Sequence, residues 1–445
     1  MDVASPVKER HPRGLYLLFG VEMWERFSYY GMRAFLVLFL TSTAGGFGWS
    51  KADASHLYAW YTGLVYLTPL VGGYLADRVL GTHRALVIGA VTIAAGHFAL
   101  AFPTRTSFFL GLALIVIGTG FFKSNISTMV GQLYREGDRR RDSAFTIFYM
   151  GINTGAFFGP IICGSLAQSP RFGWHYGFGA AGVGMVAGLA TYLLFRSRLL
   201  PGIGERPAPR PREAAPRAPL TKADLQGIAV IAILAFFNIF FWMAFEQAGS
   251  SMTFFAEERT RREFLGISFL APYFQSINPV AIVLLAPVFA MLWTRLAKRG
   301  RNPSTPVKFA LGLFLVAAGF VVMVMAARLS DGAERVSAWW LVAAYVLHTC
   351  GELCLSPVGL SMVTKLAPLP FASLMMGIWF LSSFVSGLVG GLLAGTVEKV
   401  EKGEVFHLLG GQADFFLIFV VSTAVAGLVL LALSPKIKRL IAGRA

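Results

Sequence analysis

A cluster of charged and aromatic residues lies inside an apolar segment near the start of the chain. It occupies positions i, i+3, i+4, i+7 and i+11, and consists of Glu22, Glu25, Arg26, Tyr29 and Arg33. That spacing places the cluster on one face of an α-helix. The apolar run around it, residues 15–41, is long enough to cross a bilayer. Because each charge at mid-bilayer costs on the order of 2.5–3.5 kcal/mol, this face is predicted to line a polar cavity and to form part of a transport site.

The elements that must position this face are other membrane helices. Of the 445 residues 56% are hydrophobic and 14% are charged, whereas soluble domains carry about 25% charged residues. The composition therefore predicts an all-α membrane protein. Twelve spans are predicted as transmembrane helices, here called spans 1 to 12: 15–41, 54–76, 84–102, 107–133, 143–167, 174–195, 227–256, 266–295, 306–327, 336–364, 371–396 and 412–434.

The net charge of +16 reports the orientation of the chain in the membrane. Of the 39 lysines and arginines, 26 fall on the side of the two termini, ten on the other side and three within the spans. Cytoplasmic loops carry the excess of Lys and Arg in membrane proteins. The sequence thus predicts a multi-pass protein of the cell membrane with both termini in the cytoplasm. The charge does not indicate a nucleic-acid partner; the expected surroundings are the lipid bilayer.

The chain divides at a polar break. Residues 196–224 are rich in Pro, Ala and Arg and lack an apolar period, which indicates an extended or disordered linker. The predicted domains are an N-terminal bundle of six helices (1–195), this cytoplasmic linker (196–224) and a C-terminal bundle of six helices (225–445). Two such bundles suggest a substrate site between the halves.

Two further polar residues of the first half lie in apolar spans. Lys123 is the cation of span 4. Its ammonium could snorkel to an interface, but pairing with a carboxylate of span 1 lowers the cost of burying both charges and is the favoured account. Asn153 in span 5 offers both donors and acceptors. It serves either the substrate or the contact between helices.

The second half has its own lone polar residues in apolar surroundings. Span 7 holds Trp242 and Glu246, span 8 holds Asn278 beside a proline, and span 10 holds Glu352. Intramembrane acids mark substrate or ion pathways. Span 11 carries Gly387, Gly391 and Gly395 at a spacing typical of close helix packing.

Several of these segments resemble one family. Glu22-x-x-Glu25-Arg26-Phe27-x-Tyr29-Tyr30-Gly31 is similar to the first-helix motif of the proton-coupled oligopeptide transporters, and Phe148-Tyr149-x-x-Ile152-Asn153-x-Gly155 is similar to their fifth-helix signature. The loop Gly72 to Arg84 resembles the signature of the major facilitator superfamily. The similarity covers essentially the whole chain. It implies the major facilitator fold and import of di- and tripeptides together with protons by alternating access.

The resemblance also implies roles for the residues that match family motifs. The proton-coupling residues are Glu22, Glu25, Arg26 and Glu246. The substrate-binding residues are Arg33, Lys123, Tyr29, Tyr30, Tyr66, Asn153, Asn278, Glu352, Trp242 and Trp379. A peptide is a zwitterion, so Arg33 and Lys123 suit its carboxylate and Glu352 its amine. Aromatic rings suit variable side chains.

Two features depart from the family pattern. Many bacterial members have two extra helices between the halves, for which this linker is too short and polar. Animal members carry a histidine in the second helix where this chain has Ala59. A histidine relay at that position is therefore not expected here.

Other classes fit the sequence less well. No nucleotide-binding Gly-x-x-x-x-Gly-Lys-Ser/Thr run is present, and neither is His-Glu-x-x-His or Gly-x-Ser-x-Gly. A primary pump and an intramembrane hydrolase are thereby disfavoured, and the protein is not expected to be an enzyme. No cofactor or metal is expected apart from the coupled proton, and the protein is expected to be a monomer. The alternative within transport is a proton-coupled carrier of nitrate, a peptide-like drug or another small anion.

Overall fold

The helices follow the predicted spans closely except in span 8, where a short strand and a 3₁₀ turn precede the helix and the α-helix begins only at Ile277. A computed structural model describes residues 10–135, 137–138, 140–207, 220–264, 267–331, 335–368 and 371–442, with the backbone alone at 358, 360, 372 and 373. Its helices are α1 (Arg13–Thr41), α2 (Lys51–Leu75), α3 (Thr82–Leu100), α4 (Arg105–Gln132), α5 (Arg140–Ala167), α6 (Trp174–Leu199), α7 (Lys222–Phe245), α8 (Ser251–Glu258), α9 (Ile277–Lys298), α10 (Thr305–Ser330), α11 (Trp339–Leu366), α12 (Ala372–Ala394), α13 (Val397–Glu401) and α14 (Gly411–Ala442).

Ten helical segments within the described ranges are long and apolar enough to cross a membrane. The first two helices, of 29 and 25 residues, have the length but are more polar. In α1 the reason is the charged cluster itself. A search by length and hydropathy alone therefore misses a membrane helix whose charged face lies inside the protein.

The helices around the polar break are longer than the predicted spans. Helix α6 continues to Leu199 and α7 begins at Lys222, where Thr221 and Asp224 form a capping box. Between them Leu200 is buried, and the Gly204 carbonyl accepts a hydrogen bond of 2.9 Å from the His83 amide at the start of α3. The first part of the predicted linker is thus docked. Residues 208–219 lie outside the described residues.

Span 7 is interrupted where a single helix was predicted. Helix α7 ends at Phe245, a 3₁₀ turn follows at Glu246–Gly249, and α8 starts at Ser251. Ser250 has φ −133° and ψ −96°, which is not helical. The Gln247 side chain bridges the interruption, since its amide nitrogen donates to the Gly390 carbonyl (2.8 Å) and its oxygen accepts from Ser251 (2.7 Å). The interruption places Glu246 on a short, irregular turn.

The described helices fall into two compact units. The first comprises residues 1–30, 68–159 and 178–210. Its core joins α1, α3, α4, α5 and α6 through buried side chains that include Leu18, Leu86, Phe122, Phe148 and Tyr192. The second comprises residues 31–67, 160–177 and 211–445. There α10 packs on α11 and α14, and α7 packs on α12.

Within the second unit, the glycines of span 11 contact α2. A Cβ at Gly391 would lie 2.3 Å from the Ala59 Cβ, and one at Gly395 would lie 2.6 Å from His56 Nε2. The two backbones can approach this closely only because the glycines have no side chains. The prediction that these glycines serve packing is confirmed for Gly391 and Gly395, whereas Gly387 makes ordinary contacts and lines a cavity.

Short strands of two residues each tie loops together. β1 (Thr260–Arg261) pairs in parallel with β4 (Val336–Ser337), and β2 (Glu263–Phe264) pairs antiparallel with β3 (Ile267–Ser268). They follow α8 and precede α11. They hold no residue of the predicted site.

Candidate functional site

In the first unit, the charged turn of α1 is completely buried. Arg26 forms an ion pair with Glu25, and its Nε lies 3.2 Å from Glu22 Oε1. All three side chains are less than 5% exposed. One carboxylate oxygen of each glutamate receives no hydrogen bond from the described residues. Two carboxylates thus share one guanidinium, and a second positive charge or a proton would complete the balance.

Helix α5 holds this turn in place. A Cβ at Gly155 would lie 2.1 Å from the Met23 carbonyl oxygen and 2.9 Å from the Arg26 Cβ. The two helices can touch here only because position 155 is glycine. This glycine closes the fifth-helix motif of the sequence, so that motif and the first-helix motif meet in space.

The other predicted residues of this unit surround the charged turn. The rings of Tyr29 and Tyr30 meet edge to face at 5.1 Å, and the Arg26 guanidinium lies 5.3 Å from the Tyr29 ring centre. Lys123 on α4 is near enough for its charge to act on Glu22. Arg26 on the same helical turn contacts both glutamates as well. Asn153 is buried on α5 and donates to the Tyr149 carbonyl (2.9 Å).

In the second unit, Arg33 and Glu246 form a buried ion pair. Arg33 Nε also donates to the Tyr58 hydroxyl (2.5 Å). Tyr58 fits because a Cβ at Gly249 would lie 1.7 Å from its hydroxyl oxygen. The 3₁₀ turn that carries Glu246 therefore also supplies the space for the tyrosine that holds Arg33. Charge balance predicts the Arg33–Glu246 contact; Tyr58 carries no charge and was not among the predicted residues.

The remaining acid of this unit has an amide partner. Asn278 Nδ2 donates to Glu352 Oε2 at 2.9 Å and approaches Thr349 Oγ1 at 3.0 Å. Glu352 is 8% exposed and lies near enough to Glu246 for the two charges to interact. Asn278 and Glu352 were both predicted to bind substrate. The structure brings them into direct contact.

A cavity of about 140 Å³ opens beside Glu246. Four predicted residues line it: Tyr66, Trp242, Glu246 and Trp379. Arg33 reaches the wall through Glu246, and Glu352 lies one helical turn before Ser356 of the wall. Polar residues that sequence analysis missed also line it: Thr62, Asn238, Ser356, Ser383 and Ser386. Asn238 had a signal in the sequence, because it precedes Trp242 by four residues and Glu246 by eight.

The structure distributes the predicted residues equally between the two units. The first unit holds Glu22, Glu25, Arg26, Tyr29, Tyr30, Lys123 and Asn153, and the second holds Arg33, Tyr66, Trp242, Glu246, Asn278, Glu352 and Trp379. Their roles in substrate and proton binding stay predictions. Among the described residues, no group of three or more His, Cys, Asp or Glu side chains could hold a metal ion.

Comparison with known proteins identifies similar chains along the whole length. The model of a family described as the POT family matches residues 83–199 and 218–409. The peptide transporter YePEPT of Yersinia enterocolitica subsp. palearctica is 37% identical over 97% of this chain and 95% of that protein. The di-/tripeptide transporter of Lactococcus lactis subsp. lactis is 36% identical over 90% and 92%.

A solved structure is similar to the same extent. The crystal structure of a variant of the peptide transporter POT in complex with alafosfalin has a TM-score of 0.87 at 37% identity, over 97% of this chain and 96% of that one. The predicted all-α membrane protein with the major facilitator fold is confirmed by this similarity.

Proposed function

Since this chain belongs to the POT family of transporters, we propose that it imports di- and tripeptides together with protons across the cytoplasmic membrane by alternating access. The single observation that carries the proposal is the burial of two charge clusters inside membrane helices, Glu22–Glu25–Arg26 and Arg33–Glu246. Relatives whose names state peptide or di-/tripeptide transport support it. A transporter, and not an enzyme, is the class that this family represents.

The substrate has one cationic and one anionic end, and the second unit offers a partner for each. Glu352 is oriented by Asn278 through one oxygen, which leaves the other for a peptide amine. Arg33 is the partner proposed for the peptide carboxylate, because a guanidinium binds a carboxylate through parallel hydrogen bonds. While Glu246 is ionised, it competes with the substrate for Arg33. A proton on Glu246 weakens that competition and couples the proton to peptide binding.

The charge cluster of α1 supplies a second proton-dependent step. Glu22 and Glu25 carry two negative charges against the single positive charge of Arg26. An excess charge in a dry interior is costly, so it is offset either by a proton or by Lys123. Exchange between these two states would link proton uptake to movement of α4. Tyr29, Tyr30 and Asn153 are proposed to contact substrate in the same unit.

We place the protein in the cell membrane as a monomer with both termini in the cytoplasm. The distribution of Lys and Arg supports this orientation. No cofactor takes part in the proposed cycle besides the proton.

Uptake by purified protein in liposomes tests the proposal. Radiolabelled dialanine should accumulate against its gradient when the outside is acidic, and excess unlabelled di- and tripeptides should compete with it. Nitrate and free alanine should not compete. If nitrate or another small anion displaces the label and peptides do not, the alternative carrier function is correct. If an imposed pH gradient has no effect on uptake, proton coupling is wrong.

A further inference from the structure

Asn238 stands out among the residues of the cavity wall because its side chain is buried in an apolar helix. It is fully buried on α7, between phenylalanines and isoleucines. Asn238, Trp242 and Glu246 follow at intervals of four residues, and all three line the cavity. A buried amide in such surroundings is stable only when its polar atoms have partners.

One half of the Asn238 amide has such a partner, and this fixes the direction of the amide. The Ser382 hydroxyl donates its only proton to the Trp379 carbonyl (2.6 Å). It can therefore only accept from Asn238, and the atom that faces it at 2.9 Å must be the amide nitrogen. The Asn238 oxygen is consequently the atom left over. No described residue donates a hydrogen bond to it.

Neighbouring hydroxyls of the wall are also committed as donors. Thr62 donates to the Tyr58 carbonyl (2.8 Å) and Ser386 donates to the Ser383 carbonyl (2.8 Å). Each hydroxyl oxygen keeps lone pairs but has no proton to offer. Together with the Asn238 oxygen and Glu246, they give this part of the wall several acceptors. A guest with a hydrogen-bond donor fits this wall better than an apolar guest of equal size.

The size of the cavity suits one side chain of a peptide. Its volume is about 140 Å³. A complete drug-sized ligand needs about 300 Å³ or more. Aromatic rings of Trp242 and Trp379 supply the apolar part of the wall.

We propose that Asn238 is a specificity-determining residue, whose side-chain oxygen accepts a hydrogen bond from a substrate side chain with a short donor, such as a hydroxyl. The inference rests on the proposed peptide transport and adds the chemical class of side chain that this cavity selects. Serine and 2-aminobutyrate test it, because they have the same shape and differ by a hydroxyl in place of a methyl group.

Competition against labelled dialanine measures the preference. Alanylserine and seryl-alanine are compared with their 2-aminobutyrate counterparts, because either residue of the peptide can occupy the cavity. In the wild type, one of the two serine peptides should compete about three- to tenfold better, the ratio that one neutral hydrogen bond supplies. In Asn238→Leu, which keeps the size but removes the acceptor, that ratio should fall to about one. The ratio of competition by serine and 2-aminobutyrate peptides does not depend on the absolute uptake rate of a variant. If uptake by a variant is too slow to measure, the affinities of the two peptides can be compared by thermal-shift binding.

Two further variants make the result decisive. Asn125→Leu repeats the substitution at a buried asparagine of α4, in the first unit. The Asn125 amide donates to the Phe121 carbonyl (2.7 Å) of the same helix. This variant should keep the wild-type ratio. Asn238→Asp keeps an acceptor and should keep or increase the serine preference. Equal competition by serine and 2-aminobutyrate peptides in the wild type means that water satisfies the Asn238 oxygen and the inference is wrong. An unchanged ratio in Asn238→Leu also overturns it. Failure of dialanine itself to be transported would instead overturn the proposed function.

Discussion

Replacing Gly249 by alanine is the sharpest test of how the Arg33–Glu246 pair is held. The new Cβ would lie 1.7 Å from the Tyr58 hydroxyl oxygen and 2.5 Å from the Tyr58 Cζ. Since non-bonded carbon contacts are comfortable at about 3.5–4 Å, the ring must retreat by roughly 1.5 Å or more. The hydrogen bond from Arg33 Nε, now 2.5 Å long, would then exceed hydrogen-bonding distance.

The expected loss follows from the charge on Arg33. A hydrogen bond to a charged group contributes about 1.5–3 kcal/mol, which at 1.36 kcal/mol per factor of ten corresponds to roughly ten- to hundredfold in an equilibrium. Gly249→Ala should therefore lower the initial rate of dialanine uptake by about tenfold or more. Tyr58→Phe removes the same hydrogen bond without a clash and should act in the same direction. The double variant should lose less than the product of the two single effects, because both act through one contact.

The matched control is Gly20→Ala on α1. Gly20 is also helical, but a Cβ there has no neighbour within 4 Å. This variant should transport like the wild type, and its melting temperature should be equal or slightly higher because alanine favours the helix. If Gly249→Ala keeps wild-type uptake and melting temperature, Tyr58 does not hold Arg33 and the reasoning fails.

Three other substitutions test separate parts of the site. Glu22→Gln should abolish uphill uptake driven by a pH gradient but leave peptide counterflow measurable. The control is Glu258→Gln, at an exposed acid paired with Lys51, which should leave both activities intact. Retained uphill uptake in Glu22→Gln would show that Glu22 takes no part in proton coupling. Glu352→Gln should weaken competition by free dipeptides by about tenfold or more, which is the contribution of a charge-assisted contact. It should also reduce the factor by which free dipeptides compete better than N-acetylated ones. If that factor is unchanged, Glu352 does not bind the peptide amine. Gly391→Ala should lower the melting temperature, since overpacking costs about 1–3 kcal/mol. Adding Ala59→Gly to that variant should restore part of the loss. If neither change alters the melting temperature, α2 and α12 have room to separate.

The positions of the helices could be predicted from the sequence because apolar stretches of membrane length are a strong signal. The interruption at Glu246–Gly249 could not. The apolar pattern continues through it, and the contacts that stabilise it are tertiary, such as the Gln247 amide on the Gly390 carbonyl. Sequence periodicity contains no information about a partner 143 residues away.

The site shows the same division between local and distant causes. The Arg33–Glu246 pair could be predicted because Glu246 is a lone charge in an apolar span and needs an opposite charge. The prediction paired Lys123 with a carboxylate of α1, and its charge does act on Glu22; Arg26 contacts both glutamates as well. Arg26 follows Glu22 by four residues, so helix geometry alone brings the two together. Neutral residues such as Tyr58 leave no comparable trace, because many tyrosines in a membrane helix serve packing.

The contact between the glycines of α12 and helix α2 has a consequence for how easily it can be remade. A glycine has no rotamers, so the α12 face loses no side-chain entropy when the helices meet. Since α12 presents no side chain at Gly391 and Gly395, the attraction there is mainly dispersion, and a gap of about 0.5–1 Å forfeits a quarter to a half of it. Such a contact depends on close distance and not on an arrangement of α12 side chains, so α12 can leave and rejoin α2 without repacking side chains of its own at these positions.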